Sequence, residues 1–361
     1  NLSIKRLIYF SLFFWILNFL WSIFTINPNV DDAWYYMQSL GFGHLNELAS
    51  HSDNYTYYDF SKFPVYPLIQ GIFIKFFLFL KIPINFYTYR IVPLFIFCLL
   101  ILFTFKLIEI LAKNKSDILY KKFFFLILVS ISPLSIVFMN NRPDLLALML
   151  LIIGIFFYLK SNKDISRSSL NLSLSGFFLG LSVITHPIYF FFNLFLVPII
   201  LFNNLDFRKF FYFLFSFSIP VFIFLFYYYL YFPMSVEQLM LSSTGFPYFG
   251  YFIAYLKNFF NHQNIYISLI YFYYHIPYFF CLFFLIFIFL KKFFIKSFLF
   301  KKNEIIKLII FIFVLFILFV ERNTLYNHFV FSYLIFIVFI SHDYFKKIKL
   351  YFQRYIFKLP N

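Results

Sequence analysis

The chain is 361 residues long, 63% hydrophobic and only 12% charged, and apolar runs of membrane-spanning length recur from end to end, which excludes a soluble globular protein. The formal net charge of +16 reflects 30 Lys and Arg against 14 Asp and Glu. These basic residues are scattered over short segments between apolar runs and form no contiguous stripe, which excludes nucleic acid as a partner. Cys98 and Cys281 both fall inside apolar runs, so free thiols are expected, with no disulfide framework and no cysteine-based metal site.

The first apolar run, 7–26, follows Lys5-Arg6. It is too long for a signal-peptide core and has no small-residue cleavage site after it, so it reads as a retained helix. Asn27-Pro28-Asn29 ends it, and Asp31-Asp32 follows at the membrane edge, ahead of a stretch, 33–48, that reads as an amphipathic interfacial helix. Further spans are predicted at 91–112, 123–139, 145–159, 172–185, 188–202, 210–230, 266–290, 305–320 and 329–341. The expected fold is therefore an all-α polytopic membrane protein. The run 68–81 is ambiguous, because it is short and carries Lys75 in its middle. If it does not cross, most of the Lys and Arg fall on the N-terminal side of the membrane. If it crosses, nearly all of them move to the opposite face, against the positive-inside rule. A re-entrant or interfacial helix is the expectation for 68–81, with the basic loops cytoplasmic and facing anionic lipid.

Under this topology Asp31, Asp32, Asp144, His186, Arg322 and His328 all lie on the extracytoplasmic side. Each has a plain structural reading beside a functional one. Asp31 and Asp32 either cap and solubilise the helix that follows them or serve chemistry at the membrane edge. Asn140-Asn141-Arg142-Pro143-Asp144 is a polar turn between apolar runs. Pro143 is expected to open the second helix with Asp144 in its first turn, where Asp144 is a natural cap and Arg142 a partner for it or for lipid phosphate. Arg90 opens the helix at 91 and suits a lipid anchor, while Lys62 and Lys75 suit headgroup snorkelling. His186, followed by Pro187, divides 172–202 into two short helices, and a lone His there is commonly a turn residue.

Taken in order, these segments resemble the GT-C glycosyltransferases. These are polyprenyl-phosphate-sugar-dependent membrane enzymes that include protein O-mannosyltransferases and lipid A aminoarabinose transferases. Asp31-Asp32-Ala33-Trp34-Tyr35 resembles the family's Asp-Glu-x-x-Tyr signature in the first extracytoplasmic loop. Lys62-Phe63-Pro64-Val65-Tyr66-Pro67 resembles its Lys/Pro/Tyr stretch before a short helix, and Arg90-Ile91-Val92-Pro93 its Arg-Leu-Pro-Ser. The run from Ser132-Pro133 to Asp144 resembles the helix ending in a second acidic residue. Leu179-Gly180-Leu181-Ser182-Val183-Ile184-Thr185-His186-Pro187 resembles the Gly-Leu-x-x-Leu-Thr-Lys-Gly-Pro segment. The resemblance covers residues 1–200, and beyond it only Arg322 to His328 is faintly similar to a late Arg-Tyr-x-x-Pro element. Departures are Asp32 where Glu is usual, His186 in place of Lys, and Asn323 after Arg322 with no adjacent Tyr. The large soluble C-terminal domain of many relatives is not part of this sequence.

The resemblance implies a GT-C-like bundle of about 10–11 transmembrane helices. Residues 1–200 form the catalytic transmembrane module, and 201–361 carry the C-terminal helices with an extracytoplasmic loop at 231–264, in one integrated membrane domain. It implies an inverting transfer of sugar from a polyprenyl-phosphate donor to a hydroxyl on a glycan, lipid or protein acceptor, with the active site extracytoplasmic. The chemistry needs a base for the acceptor proton and cations for the departing phosphate. No general acid is needed, because a phosphate diester leaves unprotonated, unlike the sugar oxygen in glycoside hydrolysis. Asp31 is the first choice of base, with Asp32 or Asp144 orienting the acceptor. Lys62, Arg90, Arg142, His186 and Arg322 are the phosphate-binding candidates, and Tyr35, Tyr66 and His328 the substrate-binding ones. Asp31, Asp32 and Asp144 also offer oxygen ligands for a divalent cation, and no other cofactor is implied. Two rivals from other classes are a lipid-linked-sugar transporter or flippase and a non-enzymatic membrane assembly subunit. A transporter would show paired repeats with broken helices near the midplane, and no internal repeat is evident.

Overall fold

The structure is a computed structural model that describes residues 2–25, 36, 39–40, 65–112, 118–123, 125–126, 143–164, 166–186, 189, 193, 197 and 207–231. Among these there is no strand. Seven helices are α1 Leu2–Thr25, α2 Val65–Phe79, α3 Phe86–Tyr89, α4 Ile91–Leu111, α5 Pro143–Ser161, α6 Ser168–Thr185 and α7 Phe207–Tyr231. Helices occupy the expected spans at 7–26, 91–112, 145–159, 172–185 and 210–230, with shifted ends. Those at 266–290, 305–320 and 329–341, with the 231–264 loop, lie outside the described residues, as do most of 123–139 and 188–202.

Helix ends follow local chemistry. Asn85 opens α3 with a capping box: its Oδ1 accepts from the Tyr87 and Thr88 backbone N–H groups, at 3.0 and 2.9 Å, and Thr88 Oγ1 accepts from the Asn85 N–H. Arg90 closes α3 and opens α4 in αR geometry, so the chain passes from one helix to the next with little interruption. Pro93 is tolerated because the first turn of α4 has no carbonyl waiting for its N–H. Pro143 starts α5 with Asp144 in the first turn and Lys160 in the last, each charge matched to the dipole at its end. At the end of α2, Ile82 N–H donates to Phe77 C=O and Lys81 N–H to Leu78 C=O. This Schellman ending holds Lys81 at φ 56°, in the left-handed region.

Contacts set the helix directions. Trp15 stacks on Phe97 at 4.0 Å between centroids, and Phe24 meets Tyr87, so α1 runs antiparallel to α4. Phe103 meets Phe156 edge-on, and Lys163 Nζ, just beyond α5, donates to Ile110 C=O near the end of α4, so α4 and α5 run parallel. After α5 the chain reverses, with turns at 162–163 and 166–167, and α6 returns antiparallel along α5 with Leu179 against Gly154. A Cβ on Gly176 or Gly180 would sit 2.3 or 2.4 Å from the carbonyl oxygens of Phe213 and Phe217, so α6 and α7 are parallel and nearly touch backbone to backbone. The resulting order is α1, α4, α5, α6, α7.

Helix α5 lies at the centre, with 15 of its 19 residues buried. By contrast, α1 and α7 present Phe10, Phe14, Trp21, Phe215, Phe222 and Phe226 outward. A protein in water does not keep so much large apolar surface exposed. Four segments, Tyr87–Leu111, Pro143–Ser161, Ser168–Thr185 and Arg208–Phe226, are long and apolar enough to cross a bilayer, which marks a membrane protein. The 15-residue α2 is about 22 Å long at 1.5 Å per residue, short of a hydrocarbon core of about 30 Å. Cys98 is a free thiol on the exposed side of α4, and Cys281 lies outside the described residues.

Candidate functional site

These helix directions gather four helix ends: the C-terminus of α1, the α3–α4 junction, the N-terminus of α5 and the C-terminus of α6. Two of the expected site residues meet there. Asp144 Oδ1 lies 3.4 Å from His186 Nε2, with the aspartate almost wholly buried and the histidine slightly open. The geometry has a simple origin. In an antiparallel hairpin the first residues of α5 face the last of α6, and His186 is the extended C-cap of α6, its N–H still bonded to Ser182 C=O. The positive end of the α5 dipole therefore carries the acid and the negative end of the α6 dipole carries the imidazole.

Tyr189 completes this corner. It is fully buried, its ring stands edge-on to His186 with centroids 6.1 Å apart, and its hydroxyl donates to the Asp144 carbonyl at 3.3 Å. Asn193 Nδ2 continues the chain of contacts, donating to Tyr189 C=O at 2.8 Å and Ser182 Oγ at 3.1 Å.

Arg90, fully buried, lies at the α3–α4 junction and donates from Nη1 to the Ile23 carbonyl in the last turn of α1, at 3.1 Å. It thus fixes the point from which the chain leaves α1 towards Asp31 and Asp32. Beside it Tyr89, Gln70 and Ser39, all buried, share a hydrogen-bonded triangle, and Tyr36 packs edge-on to Tyr89 at 4.8 Å. Burial pushes the Tyr36 phenol up from its ordinary value. Tyr66, also expected at the site, is buried in the core at the start of α2. Asp31, Asp32, Tyr35, Lys62, Arg142, Arg322 and His328 lie outside the described residues.

Sequence reasoning missed Ser39, Gln70, Tyr89 and Tyr189. Gln70 was the one available signal, a lone amide in an otherwise apolar helix that must find partners when buried.

The opposite ends of these helices have a different character. Glu109 pairs with Lys122 at 2.5 Å, Lys106 and Lys160 lie over the Phe103 and Phe156 rings, and Lys163 caps α4. Basic side chains thus collect at one end of the helices, and Arg90, Asp144 and His186 at the other.

As for metal, no group of three or more His, Cys, Asp or Glu side chains forms a cation site among the described residues. Asp144 faces an imidazole here, and an oxygen-rich site at Asp144 would need Asp31 and Asp32 to complete it. Comparison with protein-family models, curated proteins and solved structures finds no match to this chain.

Proposed function

We propose that this protein is a GT-C type integral-membrane glycosyltransferase, transferring a hexose or pentose with inversion from a polyprenyl-phosphate donor to an acceptor hydroxyl on the extracytoplasmic face. The observation that carries this reading is the buried Asp144–His186 pair at the same helix ends as Arg90, at the far end of the helices from the lysines. Ionisable groups at such positions in a membrane protein are expensive to keep and are functional by default.

In this reading the acceptor oxygen attacks the anomeric carbon as Asp31 takes its proton. The bond from that carbon to the phosphate oxygen breaks, and polyprenyl phosphate departs as an anion without needing a proton. His186, Arg90, Lys62, Arg142 and Arg322 stabilise the phosphate charge, Arg142 and Arg322 by bidentate geometry and Arg90, buried with Nη1 on the Ile23 carbonyl, through its charge from beneath the site. Asp32 and Asp144 orient the acceptor and the histidine, and a divalent ion on Asp31, Asp32 and Asp144 would share the phosphate charge. Tyr35 and His328 line the substrate path, and Tyr66, buried in the core at the start of α2, supports it from behind. The acceptor is a glycan, a lipid or a protein hydroxyl, and membrane lipids surround the site.

The test is turnover by purified, lipid-reconstituted protein of a panel of polyprenyl-phosphate monosaccharides, with membrane extract as acceptor and free polyprenyl phosphate followed by mass spectrometry. Release in wild type that is lost in Asp31→Asn, with donor binding retained, supports the reading and names the donor. Equal turnover by Asp31→Asn moves the base to Asp32 or Asp144, and no release from any donor by folded protein sinks it.

A second reading, a lipid-linked-sugar transporter, draws on the buried polar row Asn171, Ser175 and Ser182 along α6. Asn171 Nδ2 and Ser175 Oγ find no hydrogen-bond partner among the described residues. Polar side chains at membrane depth also mark transport paths. Movement of intact lipid-linked sugar across proteoliposomes without release of polyprenyl phosphate would favour it.

A further inference from the structure

The described residues tie the chain on both sides of the acidic pair to two consecutive positions, Tyr89 and Arg90. Before the pair, Ile23 in the last turn of α1 accepts from Arg90 Nη1 at 3.1 Å. After it, Tyr36 packs edge-on to the Tyr89 ring, and Ser39 Oγ lies 2.7 Å from Tyr89 Oη and 3.1 Å from Gln70 Oε1. Tyr89 Oη donates to the same Gln70 oxygen. The three contacts are mutually compatible: the phenol donates to the amide oxygen, and the serine hydroxyl donates to the phenol oxygen or shares its proton with the amide oxygen.

Three segments far apart in sequence supply these groups, and all three side chains are buried. The three side chains meet away from water, so the triangle closes only when residue 39, α2 and α3 are in register. Chain geometry then limits the acidic pair. Asp32 is four residues before Tyr36, so their Cα atoms lie within about 14 Å of each other whatever path the chain takes.

We propose that Tyr89, with Gln70 and Ser39, is a positioning clamp that holds the segment after Asp31-Asp32 on the α3–α4 junction and so sets the acidic pair relative to Arg90. The kinetic consequence rests on the glycosyltransferase reading, whereas the clamp itself does not.

Tyr89→Phe removes one oxygen and keeps the ring. Hydrogen–deuterium exchange of the 26–40 peptides is expected to speed up, while α5 and α6 peptides stay at the wild-type rate. In turnover assays kcat is expected to fall by about 10–100-fold, with donor KM and the stoichiometry of donor binding unchanged, because a small misplacement of a reacting group costs rate without costing binding. Ser39→Ala repeats the test from the loop side and decides it if Tyr89→Phe does not fold. Unchanged exchange at 26–40 overturns the clamp, and faster exchange with unchanged kcat overturns the positioning role. Wild-type protein that releases no polyprenyl phosphate from any donor would sink the glycosyltransferase reading, and the exchange comparison would still decide the clamp.

Discussion

Asp144 and His186 lie 3.4 Å apart at helix ends of opposite polarity, and that makes their contribution measurable. Removing one partner of a close buried polar pair leaves the other without it, at a cost of up to several kcal/mol in a fully enclosed site. His186 keeps some contact with the outside, so Asp144→Ala and His186→Ala are each expected to cost about 2–3 kcal/mol. The double variant should fall short of the sum by about 1 kcal/mol or more, as read from reversible unfolding in detergent micelles. Strict additivity would show that the 3.4 Å approach carries no coupling. Asp164, in the turn between α5 and α6, offers a test with a defined pH sign. The Ser166 hydroxyl donates to its Oδ1 at 2.8 Å and holds its carboxyl below the ordinary value, aided by the Arg167 N–H and by the charges of Arg167 and Lys160. A depressed carboxylate stabilises the fold above its unfolded-state pKa, and that contribution disappears as pH falls through the folded-state value. Ser166→Ala should therefore shift the Asp164 titration upward, so that the acid-dependent loss of stability from this carboxylate becomes smaller and is complete at a higher pH. Carboxyl carbon NMR on selectively labelled protein checks this, and an unmoved titration would remove the hydroxyl as the cause.

At the scale of elements, the closest approach is the crossing of α6 and α7. Gly176 and Gly180, four residues apart, form the small-xxx-small pattern that lets membrane helices meet backbone to backbone. The atoms a methyl group would strike are the carbonyl oxygens of Phe213 and Phe217, which cannot rotate away, and at Gly180 also Pro220 of α7. Gly154 differs. The first atoms a Cβ would meet there belong to the Leu179 side chain, which has rotamers to give. Gly176→Ala and Gly180→Ala are thus expected to destabilise by about 2–3 kcal/mol, at the upper end of overpacking costs, and Gly154→Ala by about 1 kcal/mol. Thermal unfolding of the three variants in one detergent tests the ranking. A Gly154→Ala variant as unstable as Gly176→Ala would mean that α5 and α6 cannot adjust at Leu179. The same elements show what the sequence made legible. Pro143, Pro187 and the apolar runs place α5 and α6 to within a few residues, because proline geometry and hydrophobicity act locally. The Asp144–His186 contact was not read, although a short turn between two helices of similar length brings the first residue region of one to the last of the other. Ser39 was hidden more deeply, since its partners Gln70 and Tyr89 come from two other elements and only tertiary register unites them.

For the whole molecule, the consequential feature is the sorting of charge between the two ends of the helices. Positive-inside reasoning put the 113–122 and 160–171 loops on one side of the membrane and Arg90, Asp144 and His186 on the other. The helix directions agree with that partition, since Lys122 and Lys163 meet the C-terminal end of α4 while Arg90 and Asp144 lie at the opposite ends of α4 and α5. Burial alone would not have produced it, because apolar helices pack equally well with charges at either end. A bilayer would sort them this way, because lysines are expected to stay on the side of insertion and near anionic lipid. Two exposed turn positions report the outcome, Asn162 at the basic end and Pro83 just ahead of α3. In a background with Cys98 and Cys281 replaced by Ser, Asn162→Cys is expected to resist a membrane-impermeant maleimide added outside intact cells and to react once the cells are opened. Pro83→Cys is expected to react from outside. Reaction of both from the same side would mean that the chain between α3 and the α5–α6 turn crosses an even number of times. That would overturn the assignment of the Asp144–His186 corner to the extracytoplasmic face, and with it the access of an extracytoplasmic acceptor to the proposed site.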